Sequence, residues 1–226
     1  TPPSGGNHSL SFDGVDDYVN IGNTESLTIN GDITISAWVN FSDFDTSTPT
    51  VISKITPGEL IGYGIEKNSI HNKLSFWVGD GTAFREITSN ELSENTWYYV
   101  VCTNDGSTSK LYIDGSLVSS GESGYPAGPT GDLKIGIHST ESQSFRYWDG
   151  FIDELAVWNV ALAESQIQSY MSTPPTGNET GLVGYWNFNE GTGTTLTDQT
   201  SNSNDGTIVG ATWSTDVPPL PSLTSI

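Results

Sequence analysis

The sequence is poor in cysteine and in positive charge, and it has no long apolar run. Cys102 is the only cysteine among the 226 residues, so no intramolecular disulfide can form. Lysine and arginine number 7 against 27 aspartates and glutamates, which gives a formal charge of −20. Because such a surface repels a phosphate backbone, we expect no nucleic-acid partner. No apolar run approaches the ~20 residues of a membrane-spanning helix, so we expect no membrane insertion.

Motifs of the common enzyme classes are also missing. The sequence has no G-x-S-x-G, no H-E-x-x-H and no phosphate-binding glycine loop. Glycoside hydrolysis needs two carboxyl groups about 5 to 10 Å apart, whereas strand neighbours such as Asp153 and Glu154 point to opposite faces. The sequence therefore predicts no catalytic residues. Only a pair of carboxylates that converge in a concave groove would favour an enzyme.

The sequence does contain many short apolar runs separated by tight turns. Asp-Gly, a dipeptide that favours hairpin turns, occurs 6 times. Apolar and polar residues alternate in runs such as 33–41 and 74–78. This pattern predicts an all-β fold, an antiparallel β-sandwich. One short helix is predicted over about residues 162–171, where it would cover an edge or end of a sheet.

The stretch 9–21 combines strand and turn signals with a dense group of acids. Asp13, Asp16 and Asp17 bring three carboxylates into five residues. These carboxylates repel one another unless something neutralises them, and Ca²⁺ prefers hard oxygen ligands of this kind. The spacing leaves two interpretations open, a calcium site or a solvated acidic turn.

Five segments resemble, in the same order, parts of the laminin-G-like jelly-roll domains, which are concanavalin A-like sandwiches. These segments are 11–19, 33–39, 95–100, 111–115 and 150–158. The resemblance implies a concanavalin A-like jelly roll, a fold that hosts lectins, carbohydrate-binding modules, adhesion modules and some enzymes. It also implies a structural Ca²⁺ between the first and last strands, with Asp153 joining Asp13, Asp16 and Asp17 as a ligand.

Candidate ligand-binding residues come from aromatic and planar polar side chains, because sugar sites combine the two. If Phe76 faces the core, strand alternation places Trp77 on the opposite face. Arg85 lies in the next predicted strand, and the segment Phe145–Trp148 is unusually aromatic for a loop. For each candidate, a plain surface or edge-packing role is the alternative. The candidates are Tyr63, His71, Trp77, Arg85, His138, Arg146, Tyr147 and Trp148.

The two ends of the chain are interpreted as linkers that flank one domain. We assign linkers to residues 1–7 and to the Pro-rich residues 217–226, and the domain to residues 8–216. The segment 181–213 either completes this sandwich or begins a further repeat. We favour completion because Trp186 and Phe188 alternate with polar residues and need a core to cover them.

Composition and resemblance together give a functional expectation. No signal peptide is visible at the start of the sequence. We nevertheless expect a secreted or cell-surface, non-catalytic carbohydrate-binding module. Its partner would be a polysaccharide or oligosaccharide, and it would be tethered to other domains of a polysaccharide-degrading enzyme. The alternatives are a protein-binding adhesion module and a glycan-cleaving enzyme on the same fold.

Overall fold

The computed structural model describes residues 8–42, 48–68, 71–140 and 146–219. The linker 1–7, Phe145 and most of the linker 217–226 lie outside these residues. One α-helix, α1 (Glu164–Ser172), forms in the described part of the chain. The strands are β1 (Ser9–Asp13), β2 (Tyr18–Gly22), β3 (Ile33–Phe41), β4 (Thr50–Ile55), β5 (Ile61–Lys67), β6 (Leu74–Asp80), β7 (Phe84–Thr88), β8 (Tyr98–Asn104), β9 (Thr108–Ile113), β10 (Ser116–Glu122), β11 (Leu133–Ile135), β12 (Asp149–Trp158), β13 (Leu182–Trp186), β14 (Thr195–Leu196), β15 (Gly206–Val209) and β16 (Thr212–Ser214).

The strands form two antiparallel sheets, which confirms the predicted fold class. The first sheet has the order β10-β9-β8-β3-β12-β1-β16, with β13 also paired to β12. The second sheet has the order β14-β15-β2-β11-β4-β5-β6-β7. Sequence neighbours such as β8 and β9 pair as hairpins, whereas β1 pairs with β12 across most of the chain.

The main core lies between the two sheets. Along β3, Ile33, Ile35 and Val39 are fully buried in it. Cys102 of β8 is also in this core, and its burial raises the pKa of the thiol well above the usual value. The thiol is therefore protonated and inert, as expected of a buried structural cysteine.

A second apolar cluster lies on the outer face of the first sheet, where α1 covers it. Ile167 of α1 is fully buried in this cluster, and the ring of Tyr170 packs against Trp158 at a tilted angle, with ring centroids 5.0 Å apart. The helix begins after Ala163, whose N–H donates to Oε1 of Gln166 at 3.0 Å. The helix is thus placed as predicted in sequence, but it covers a sheet face rather than an edge. None of the described helical residues forms a span long and apolar enough to cross a membrane.

The outer face of the second sheet is built differently, and strand alternation explains why. On β5 and β6, Tyr63, Ile65 and Phe76 point into the core. The residues between them, including Gly64 and Trp77, therefore point outward. Gly64 and Trp77 are register partners, so they are neighbours on this outer face.

The segment 181–214 supplies strands to both sheets. β13 pairs with β12 and β16 pairs with β1 in the first sheet, while β15 pairs with β2 in the second. Trp186 and Phe188 are fully buried in the main core. The segment therefore covers core that would otherwise meet water.

Deleting residues 181–213 is expected to abolish cooperative folding. Loss of one buried tryptophan or phenylalanine typically costs about 3–5 kcal/mol, and this deletion removes both together with their strands. Solubility and thermal unfolding of a chain ending at Thr180 would measure this. A soluble chain with a cooperative transition would show instead that the segment is dispensable.

Candidate functional site

A pocket of about 380 Å³ opens on the outer face of the second sheet. This volume lies within the range of small-ligand sites. Its lining mixes apolar, aromatic and charged side chains from β4 to β7 and from the segment after β11. The lining residues are Ile55, Glu66, Trp77, Phe84, Glu86, His138 and Arg146.

Glycines on the outer face allow the aromatic rings to lie close to the sheet. A Cβ atom added to Gly64 would lie 2.6 Å from Cζ2 of Trp77, so the indole occupies the space of the missing side chain. Gly79 similarly makes room for Phe84, because a Cβ atom there would lie 2.7 Å from Cε1 of the phenyl ring. The pocket floor therefore depends on residues that lack a side chain.

The aromatic part of the pocket is a packed cluster around Trp77. The phenyl ring of Phe84 meets the indole edge to face, with centroids 5.3 Å apart, and the His138 ring lies 6.1 Å away on a tilted plane. Trp77 is only 6% exposed, whereas Phe84 is 41% exposed. A ligand would therefore meet Phe84 as its main apolar surface, and the edge of Trp77 at the base.

The charged groups of the pocket are dominated by an ion pair. Nη1 of Arg146 lies 3.4 Å from Oε2 of Glu66, and both side chains are mostly buried. Burial raises the pKa of Glu66 to about 7, while the Arg146 guanidinium opposes this shift. Burial also lowers the pKa of His138 to about 4, and Arg146 adds to that effect. His138 is consequently neutral at pH 7.

Glu86 is the second carboxylate of the pocket, and it differs from Glu66. It is the register partner of Trp77 on the edge strand β7 and is exposed. Nδ2 of Asn68 donates to its Oε1 at 3.4 Å. Glu66 and Glu86 thus lie on strands either side of β6, one buried and paired, the other open to solvent.

The structure brings together three of the eight candidate ligand-binding residues. Trp77, His138 and Arg146 line the one pocket although they are far apart in sequence. His71 and Tyr147 do not line it, and His71 instead lies near Glu91, with Nδ1 3.6 Å from Oε1. The sequence missed Glu66, Phe84 and Glu86 because only the strand register shows that they share a face with Trp77.

The placement predicted for the other three candidates is wrong. Trp148 is 1% exposed and packs edge-on against Phe41 in the core, and its backbone N–H donates to the carbonyl of Gly136 at 2.8 Å. Tyr63 is fully buried on β5, where its hydroxyl donates to the carbonyl of Leu27. Neither side chain can reach a ligand in this arrangement.

Arg85 does not lie beside Trp77. Its register partner is Val78, which points into the core, so Arg85 occupies the opposite side of the edge strand from Glu86. There its Nε lies 3.6 Å from Oδ2 of Asp80. Of the two arginines in the chain, only Arg146 serves the pocket.

The acidic turn between β1 and β2 brings three predicted metal ligands together. Oxygen atoms of Asp13, Asp16 and Asp17 lie within 4.8 Å of one another. Oδ1 of Asp13 accepts from the N–H of Val15 at 2.9 Å, and Oδ2 of Asp17 accepts from the N–H of Asp13 at 2.9 Å. Burial raises the pKa of Asp17, and the two other aspartates add to this shift. An all-carboxylate oxygen set of this kind fits the ligand preference of Ca²⁺.

Asp153 does not belong to this group. The residue opposite Asp13 on β12 is Asp149, and Asp153 lies four residues further along the strand, about 13 Å away at ~3.3 Å per residue. Asp153 is fully buried, and its Oδ1 accepts from the N–H of Glu154 at 2.8 Å. The family-based expectation for this residue is therefore wrong, and Asp149 is the carboxylate that the register places nearest to the turn.

A bulge explains the environment of Asp153. The pairing of β12 with β3 shifts between Asp153 and Ala156, and Glu154 has a φ of 50°. Strand alternation therefore fails here, and Glu154 contacts the hydroxyl of Tyr185. Burial raises the pKa of that hydroxyl, and both acids add to the shift. Both carboxyl groups are buried, and burial raises the pKa of each. They form a buried polar cluster and not an open acid pair.

Solved structures with a similar fold include proteins that carry carbohydrate-related descriptions. A candidate carbohydrate-binding protein of Bacteroides ovatus ATCC 8483 matches with a TM-score of 0.74 and 20% identity, over 94% of this chain and 61% of that protein. The heptameric SAP-like pentraxin of Limulus polyphemus matches with a TM-score of 0.61 and 19% identity, over 79% of this chain and 89% of the pentraxin. Domain 4 of AbnA, an extracellular arabinanase from Geobacillus stearothermophilus, was solved with arabinotriose. It matches with a TM-score of 0.58 and 17% identity, over 73% of this chain and 76% of that domain. At these identities the likeness concerns the fold. The chain spans less than two thirds of the Bacteroides protein.

Sequence comparison identifies the family. No curated protein sequence matches the chain. The family model Laminin_G_3 matches residues 13–168, which is more than half of the chain. This range contains β2 to β12, every described lining residue of the pocket and the acidic turn. The chain belongs to the concanavalin A-like lectin/glucanases superfamily.

Proposed function

We propose that this protein is a non-catalytic carbohydrate-binding module whose ligand site is the pocket around Trp77 and Phe84. The observation that carries this proposal is the combination of aromatic rings with Glu66, Glu86 and Arg146 in one pocket of about 380 Å³. Sugars present apolar C–H faces and many hydroxyl groups, so they need both kinds of partner. The arabinanase domain solved with arabinotriose lends support at the level of the fold.

Each part of the pocket has a role in this proposal. Phe84 and the edge of Trp77 pack against the apolar face of a sugar ring. The carboxylates of Glu66 and Glu86 accept hydrogen bonds from sugar hydroxyl groups. The guanidinium group of Arg146 donates hydrogen bonds to ring or hydroxyl oxygens of the sugar. The Glu66–Arg146 pair orients both groups before a ligand arrives, which reduces the entropy lost on binding.

The wider setting is part of the same proposal. We infer that the module is secreted or displayed at the cell surface. It would bind a polysaccharide that an enzyme linked to it degrades. The extracellular arabinanase, of which one domain shares this fold, supports that inference. An adhesion module that binds protein would use a flat, aromatic-poor surface, whereas this site is a pocket with aromatic walls.

An enzyme is the second candidate, and the two glutamates of the pocket favour it. Glu66, with a pKa of about 7, could act as an acid and the exposed Glu86 as a base. The ion pair between Glu66 and Arg146 favours binding instead, because the guanidinium stabilises the ionised form of Glu66, which has no proton to donate. Hydrolysis of a polysaccharide panel by the parent, and its loss in Glu66→Gln and Glu86→Gln, would establish the enzyme. Unchanged polysaccharide would support binding alone.

Replacing Phe84 by alanine is expected to weaken glycan binding by about 1–3 kcal/mol with only a small fall in the melting temperature. Phe84 is 41% exposed, so its loss removes ligand contact and little core packing. Tyr125→Ala is the matched control, since Tyr125 is 47% exposed and does not line the pocket. A glycan array followed by calorimetry would measure this. Equal affinities for both variants and the parent would place the site elsewhere.

The two arginines of the chain offer a second matched comparison. Arg146→Gln is expected to reduce glycan affinity about tenfold or more, because it removes a donor and leaves Glu66 buried without its partner. Arg85→Gln should bind like the parent, because Arg85 lies on the other side of its strand. Affinity electrophoresis of both variants tests this, and equal retardation of the two would contradict it.

We also propose that Asp13, Asp16 and Asp17 hold a Ca²⁺ ion that stabilises the turn between β1 and β2. A bound ion would offset the repulsion among the three carboxylates, and Asp149 would add a fourth carboxylate close to the turn. The oxygen cluster within 4.8 Å supports this proposal. The alternative is an acidic turn held by its own hydrogen bonds.

Calcium at about one hundred times its dissociation constant should stabilise the protein by ~2.7 kcal/mol. Thermal melts with calcium and with chelator would measure the shift. Asp16→Asn should abolish it, whereas Asp32→Asn, outside the cluster, should retain it. Identical melting temperatures with calcium and chelator would contradict the proposal.

A further inference from the structure

The charges that line the pocket restrict the class of sugar it can take. Its described lining contains two carboxylates and one guanidinium, and His138 is neutral at pH 7 because its pKa is about 4. All seven lysines and arginines of the chain lie in described parts of the chain, so no further cation can line the pocket. At pH 7 the lining therefore carries no net positive charge.

Anionic sugars are disfavoured for a further reason. Arg146 is the only cation in the described lining, and Glu66 already lies 3.4 Å from it. An acidic sugar would have to displace Glu66 and leave a buried carboxylate without its partner, which is costly. The surrounding charge of −20 adds a long-range repulsion for anions and an attraction for cations.

Glu86 distinguishes a cationic sugar from a neutral one. It lies on β7, while the Glu66–Arg146 pair belongs to the opposite side of β6. The neutral amide of Asn68 donates a hydrogen bond to it, and the cations in the described part of the chain form no ion pair with it. Beside it stands the exposed ring of Phe84, whose face attracts a cation, while Trp77 lies largely buried beneath. One side of the pocket thus offers a carboxylate and aromatic rings, with Arg146 on the far side.

We propose that the pocket selects a positively charged amino sugar, with the ammonium group bound between Glu86 and the ring of Phe84. This inference rests on the proposed function, because it names the sugar class for the same site. The ammonium donates to the Glu86 carboxylate, while the sugar hydroxyl groups bond to Glu66 and Arg146. A non-acylated amine is required, because acylation removes the charge.

The experiment compares three disaccharides with the same β-1,4 backbone by calorimetry near neutral pH. They are the glucosamine disaccharide, its N-acetylated counterpart and cellobiose, which has neutral hydroxyl groups in place of the amines. The glucosamine disaccharide is expected to bind about five- to tenfold more tightly than cellobiose, as one charge-assisted hydrogen bond would give. A ratio near one would overturn the inference.

A matched pair of variants separates the pocket from the general charge of the protein. Glu86→Gln and Glu94→Gln each remove one negative charge, but the exposed Glu94 does not line the pocket. The preference for the glucosamine disaccharide should disappear in Glu86→Gln and persist in Glu94→Gln. An equal change in both variants would mean attraction to the acidic surface and would overturn the inference.

The outcomes keep this inference separate from the proposed function. If cellobiose binds as tightly as the glucosamine disaccharide, and Phe84→Ala weakens both, the carbohydrate site stands and the amino-sugar preference is wrong. If a simple alkylammonium salt binds as tightly as the glucosamine disaccharide, the site recognises a cation and not a sugar, and both proposals fail.

Discussion

Strand alternation in the second sheet is the constraint on which the candidate site depends. Burial of Tyr63, Ile65 and Phe76 in the core forces the intervening residues of β5 and β6 onto the outer face. A one-residue slip in register would turn Trp77 inward and expose its core neighbours, so the core packing that stabilises the sandwich also determines what the outer face presents. The pocket is in this sense a consequence of the core.

Electrostatics within the pocket follow from partial burial. Glu66, His138 and Arg146 share a small space, where desolvation disfavours the charged forms of the acid and the imidazole. The guanidinium is the group that stays charged, and it is held beside the carboxylate. Of the two arginines in the chain, Arg146 therefore orients the mostly buried Glu66, while Arg85 lies at an exposed sheet edge.

The two faces of the sandwich have different uses because α1 covers only one of them. The outer face of the first sheet is apolar where Ile167 and Tyr170 pack, and it forms a second core with Trp158. The outer face of the second sheet instead carries glycines, aromatic rings and acids between β4 and β7. This asymmetry leaves one face available to a ligand and gives the helix a structural role.

The sequence by itself determined the sandwich, the helix, the outward direction of Trp77 and the clustering of Asp13, Asp16 and Asp17. These features are local, since alternation, turn dipeptides and short spacings act within a few residues. Only the tertiary structure decided that Glu66 and Glu86 flank Trp77, that Trp148 enters the core, and that Asp149 rather than Asp153 faces Asp13. These outcomes depend on register between strands distant in the chain and on a bulge at Asp153. Hydrogen bonding across the sheets sets that register, so it cannot be predicted from the periodicity along a single strand.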